Sequence, residues 1–168
     1  MRPLKLTFFN LLLPGFLLLY CGCGKPETVL QLPPLTHTGA NIIAFEINGK
    51  VFISSGASGK LSQFGPGVYY EVYGDSNAVI SGTADNPGFL ISMGSKYKFA
   101  LGTYKIDTTP FSQGAVYDEF KTDSAHGGYI TYTYYDGNIL AGTFALDVVN
   151  ANDSVIHITD GRFDIQNH

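Results

Sequence analysis

The segment Gly142 to Ile165, GTFALDVVNANDSVIHITDGRFDI, restricts the fold more than any other stretch of this chain. Phe144, Leu146 and Val148 alternate with Ala145, Asp147 and Val149, the period of a strand with one buried face. Asn150, Asn152, Asp153 and Ser154 supply turn chemistry. Val155 to Thr159 then returns, with Ile156 and Ile158 on the face used by Phe144 and Leu146. Asp160-Gly161 breaks the run before Phe163 and Ile165. In that break aspartate tolerates the turn, glycine is expected to supply a positive φ, and Arg162 to pair with Asp164 or Asp147. A chain ending in this pattern closes its sheet there.

The rest of the chain repeats the theme. Ile43, Phe45 and Ile47 alternate up to Asn48-Gly49, the strongest short hairpin signal, which places Phe45 opposite Phe52. Further runs cover Val68 to Tyr73, Asn77 to Gly82, Phe89 to Met93, Tyr97 to Ile106, Ala115 to Thr122 and Gly128 to Tyr135. Turn signals at Asp85 to Gly88 and Asp136-Gly137 separate some of them. With 20 glycines, 23 phenylalanines and tyrosines and only 14% charged residues, the composition suits short strands and frequent turns. The expected fold is all-β, an antiparallel β-sandwich (or partly open barrel) of about 8–10 strands in one domain. Once a leader is removed, about 130 to 145 residues remain, enough to bury roughly two-thirds of the unfolded surface.

The N-terminus carries an address. Arg2 and Lys5 precede an apolar stretch, Leu6 to Tyr20, that is short for a membrane span and runs into Tyr20-Cys21-Gly22-Cys23-Gly24. This is similar to a bacterial lipoprotein signal, in which an aliphatic residue and two small ones precede the cysteine that is lipidated. Cys23 has small Gly22 before it, whereas Cys21 has the aliphatic Leu18 in place but bulky Tyr20 before it. Cys23 is favoured, with Cys21 the alternative. The expected organisation is a signal peptide over 1–22, a lipidated cysteine and proline-rich tether over 23–38, and a β-sandwich over 39–168. With both cysteines at the leader, neither a disulfide nor a thiol-based metal site is expected in the domain.

The leader, LPPLTHTGAN, NGKVF, LGTYKI, AGTF and ITDGRFDI together resemble a family of small Bacteroidota lipoproteins of unknown function. Ile42-Ile43-Ala44 departs from the small or glycine-containing stretch usual there. The resemblance covers nearly the whole mature chain and implies lipid anchoring and a β-rich domain. It brings no catalytic residues.

Charge and motifs mainly exclude. The formal charge is −4, and −6 once Arg2 and Lys5 leave with the leader. Without a basic stripe, nucleic acid is not an expected partner. His37, His126, His157 and His168 show no metal-ligand spacing, and no cofactor or metal is expected. His157 is expected on a solvent-facing strand position, and His126 in a loop. Ser54 to Lys60 only loosely matches a phosphate loop, and Ser95-x-x-Lys98 lacks its companion motifs. Asp118, Glu119 and Asp147 are the carboxylates that could form a hydrolytic pair.

Tyr69 and Tyr73 share one strand face, and Tyr129 and Tyr135 share another. Exposed, such rings stack on sugars; the plainer reading has them covering a second layer with their hydroxyls at the rim. The leading functional expectation is a non-catalytic binding or accessory module, anchored to the outer membrane through its acylated cysteine, for glycan or another envelope component. The rivals are a structural or assembly protein acting through protein contacts and, last, a carboxylate hydrolase.

Overall fold

The computed structural model describes residues 30–56, 67–73, 77–85, 88–95, 99–106, 115–116 and 120–167. The leader with Cys21 and Cys23, Lys96, Lys98, Asp118, Glu119, His168 and the side chain of Tyr73 lie outside the described residues. All regular structure described is strand: β1 (Ile42–Ile47), β2 (Lys50–Ser55), β3 (Gly67–Tyr73), β4 (Asn77–Asp85), β5 (Gly88–Ser95), β6 (Gly102–Ile106), β7 (Ala115–Val116), β8 (Phe120–Lys121), β9 (Gly128–Tyr135), β10 (Ile139–Val149) and β11 (Val155–Gln166).

Every pairing is antiparallel, and β10 joins two layers. Along most of its length it lies between β11 and β9, giving a first sheet β2-β1-β11-β10-β9-β6. Its last residue, Val149, pairs with Lys121 of β8 and so leads into a second sheet, β8-β7-β5-β4-β3. The structure is an open β-sandwich rather than a closed barrel. At one corner β2 and β3 meet, where Val68 N donates to Gly56 O at 3.1 Å and the Ser54 hydroxyl reaches Gly67 O and Thr83 O.

Local chemistry sets the hairpins. Asn48 and Gly49 both hold positive φ, 52° and 75°, as a type I′ turn requires, and Phe45 pairs with Phe52. A Cβ on Gly49 would meet nothing within 4 Å, so its requirement is conformational. Gly49→Ala is expected to cost about 1 kcal/mol, read as a shift of the urea midpoint at unchanged slope. Between β9 and β10 only Gly137 is positive, at 95°, and the Asp136 carboxylate accepts from the amides of Asn138 and Ile139. Those amides hold the Asp136 carboxyl below the ordinary carboxylate range. Asn150 closes the β10–β11 turn in the same way, accepting from Asn152 N and Ser154 N.

The two sheets share one core, in two aromatic groups. Phe45, fully buried, stacks on Phe52 at 5.5 Å, meets Phe89 edge-on at 5.1 Å and leans on Phe144 at 6.1 Å. At the other end, Phe99 is ringed by Tyr70, Tyr132 and Tyr135. Phe99 takes a positive φ of 39° before β6 begins and lies in the core, whereas Leu101, two residues on, is exposed. Burial, then the nearby Tyr135 and Asp136, push the Tyr70 hydroxyl up to about 12. The unfolded chain releases this proton near 10 while the folded chain keeps it, so stability should fall as pH rises past about 10. Tyr70→Phe should flatten that part of the urea-midpoint profile.

β11 continues through Asp160-Gly161 as a bulge, with Phe144 opposite Gly161 but Leu146 opposite Ile158. The expected roles differ in detail. Asp160 itself takes the positive φ, 51°. Gly161 is required for space, since a Cβ there would lie 2.5 Å from the Phe144 ring. Arg162 gives its guanidinium to carbonyls, Pro33 O at 2.8 Å and Asp160 O at 3.2 Å, rather than to Asp164 or Asp147.

Candidate functional site

The outer face of the first sheet carries Tyr129, Asp147 and His157. On β9, Ile130 and Tyr132 point into the core, which turns Tyr129 and Thr131 outward. The register places Thr103 of β6 and Thr143 of β10 on either side of Thr131, and Lys105 and Ala145 on either side of Tyr129. Thr103 and Thr131 share a hydrogen bond between their hydroxyls at 2.9 Å. Tyr129 is 57% exposed, and small Ala145 leaves the ring uncovered on that side. One register step beyond, Asp147 and His157 form a cross-strand pair, Oδ1 to Nδ1 2.7 Å.

Of the tyrosines singled out in the sequence, Tyr69, Tyr129 and Tyr135 do not form one row. Tyr69 is half-buried on β3, in the second sheet, whereas Tyr129 lies on the first. Tyr135 does not share the face of Tyr129. Between Tyr132↔Gly142 and Tyr134↔Ala141 the ladder slips by one residue at Thr133, which inverts the alternation. Tyr134 is thereby turned out, and the Tyr135 ring packs on Phe99 at 5.2 Å and Tyr70 at 6.5 Å.

The far end of the same face is covered by the chain's own residues 33–39, a strap that the sequence assigns mainly to the tether. Pro33 O accepts from Arg162, and Asp164, only 2% exposed, gathers the rest. Its carboxylate accepts from the Thr36 hydroxyl at 2.6 Å, Thr38 N at 2.9 Å, the Thr38 hydroxyl at 3.3 Å and Gly39 N at 2.8 Å. Burial raises the Asp164 carboxyl, but the hydrogen bonds from Thr36, Thr38, Gly39 and Ala40 together outweigh it and hold the group below the ordinary carboxylate range. Gly39, at φ 70°, passes so close to Gln166 that a Cβ would lie 2.9 Å from the Gln166 Cβ. His37 stacks on Tyr134, rings 5.1 Å apart and 7° from parallel, and its Nε2 lies 3.3 Å from the Thr133 hydroxyl.

His126 belongs to a turn. Its Nδ1 and backbone amide both lie within 2.8 Å of Asp123 Oδ1. The His126 and Ala125 amides hold the Asp123 carboxyl low, with help from the imidazole. His157 is exposed as expected, but its Asp147 partner comes from the β10–β11 register. Among the described residues no group of three or more His, Cys, Asp or Glu side chains is placed to hold a metal ion. The Thr103–Thr131 contact and the strap leave no local signal in the sequence, because both join residues far apart in the chain. The face offers one exposed ring, a hydroxyl pair and a flanking Asp–His pair, a set suited to holding a polar ligand. No family model, curated protein or solved structure matches the chain.

Proposed function

We propose that this chain is a lipid-anchored, non-catalytic binding module of the cell envelope. In this reading it is held at the outer membrane by Cys23 and takes glycan on the outer face of β6, β9 and β10. The exposed Tyr129 ring carries the reading. An exposed tyrosine ring offers an apolar surface to a sugar ring and a hydroxyl to its edge. The Thr103 and Thr131 hydroxyls and the Lys105 position lie beside it to meet the sugar's own hydroxyls.

Tyr129→Ala is the test. Stability should change by no more than about 0.5 kcal/mol, as for exposed positions away from the core. Binding to a panel of bacterial surface polysaccharides should fall severalfold in the same protein. A glycan that binds wild type and variant equally would remove Tyr129 from the site. A chain that takes no glycan but retains an envelope protein in crosslinking would favour the assembly role.

A further inference from the structure

We infer that the strap-bearing face of the sandwich is turned toward the bilayer, with Leu30 and Leu35 resting in the interfacial region of the lipid. The inference rests on the lipid anchoring proposed above, and four observations carry it. First, the strap is fixed to the domain: Arg162 holds Pro33, and Asp164 holds Thr36, Thr38 and Gly39. Among the described residues the chain's first hydrogen bond to the sheet is therefore at Pro33, ahead of β1. Second, Cys23 lies seven residues before Leu30, a span of at most about 25 Å fully extended, and Cys21 would extend it only to about 32 Å. Third, Leu30 and Leu35 are 53% and 59% exposed, while Leu32 and Pro33 between them are partly covered. Leu35 thus turns to solvent from the bound strap, and Leu30 does so just before it. Fourth, residues 28–45 contain no Asp, Glu, Lys or Arg in a chain of net negative charge, so nothing in that stretch opposes contact with a lipid surface. The Tyr129 face belongs to the same sheet, so a ligand held there would lie on the membrane side of the domain.

The chain has no tryptophan, which makes the test direct. Leu35→Trp and Leu90→Trp each introduce a single reporter. Leu90 is exposed between buried Phe89 and Ile91 on the outer side of the second sheet, away from the strap. Each full-length lipidated chain is reconstituted in phosphatidylcholine vesicles brominated near the top of the acyl chains. The Leu35→Trp emission should be largely quenched and the Leu90→Trp emission unaffected. Leu30→Trp repeats the measurement at the second exposed leucine, just before the strap. Protein that floats with the vesicles but shows no quenching at Leu35 or Leu30, or equal quenching at Leu90, overturns the orientation and leaves the anchor standing. Protein that carries no lipid and does not float overturns the anchor, and the orientation with it.

Discussion

Phe45→Ala should cost about 3–5 kcal/mol, a large part of the 5–15 kcal/mol that holds an ordinary domain together. The residue is fully buried, and its ring touches three other phenylalanines. Phe52 comes from the neighbouring strand β2, Phe144 from β10 of the same sheet, and Phe89 from β5 of the opposite sheet. Truncation removes an aromatic side chain and leaves a space that three rings from three strands cannot close together. The guanidinium midpoint should fall at unchanged slope. Val155→Ala, at an exposed position, should move it by no more than about 0.5 kcal/mol. Equal effects at the two positions would mean that the phenylalanine group is not the centre of the core.

Asp164→Ala should cost about 2–4 kcal/mol and release the strap. Hydrogen bonds to a charged group are worth more than neutral ones, and Asp164 accepts several at once. Its removal leaves the Thr38 and Gly39 amides without their acceptor. Amide exchange at Thr38 and Gly39 should then approach that of an unfolded segment, while exchange in β9 and β10 stays slow. The pH dependence has a definite sign. The folded carboxyl is held below its ordinary value, so its contribution is complete above about pH 4 and is lost as pH falls through the lower folded value. Wild type should therefore lose stability on acidification through this window, and the variant should lose less. A variant with the same acid profile as wild type would show that the strap is held by something other than this carboxylate.

Much of the sandwich was legible because its hairpins are local. Asn48-Gly49 fixes the β1–β2 register within two residues, and Phe45 meets Phe52 as the turn demands. The β10–β11 hairpin is similar: the alternation of Phe144, Leu146 and Val148 already implies facing Ile158 and Ile156. What stayed hidden depends on distant pairing or on a ladder that slips. The β6–β9 pairing brings Thr103 to Thr131 across a long stretch of chain that carries no signal for it. The slip at Thr133 sends Tyr135 inward although strict alternation puts it outside with Tyr129. Asp164 reads as an outward strand acid between buried Phe163 and Ile165, and only the strap lying over it makes it a buried clamp. Pro33-Pro34 reads as the middle of a spacer, yet Pro33 is already bound to β11.

The most direct measurement of the central proposal is the intact mass and membrane partition of the mature wild type, Cys23→Ala and Cys21→Ala chains expressed in a diderm host. A lipid-anchored module processed at Cys23 predicts an acylated, membrane-bound wild type beginning at residue 23. It also predicts the same product from Cys21→Ala, and loss of lipid and membrane retention in Cys23→Ala. A wild-type chain without lipid, or a Cys23→Ala chain still acylated and membrane-bound, would contradict it.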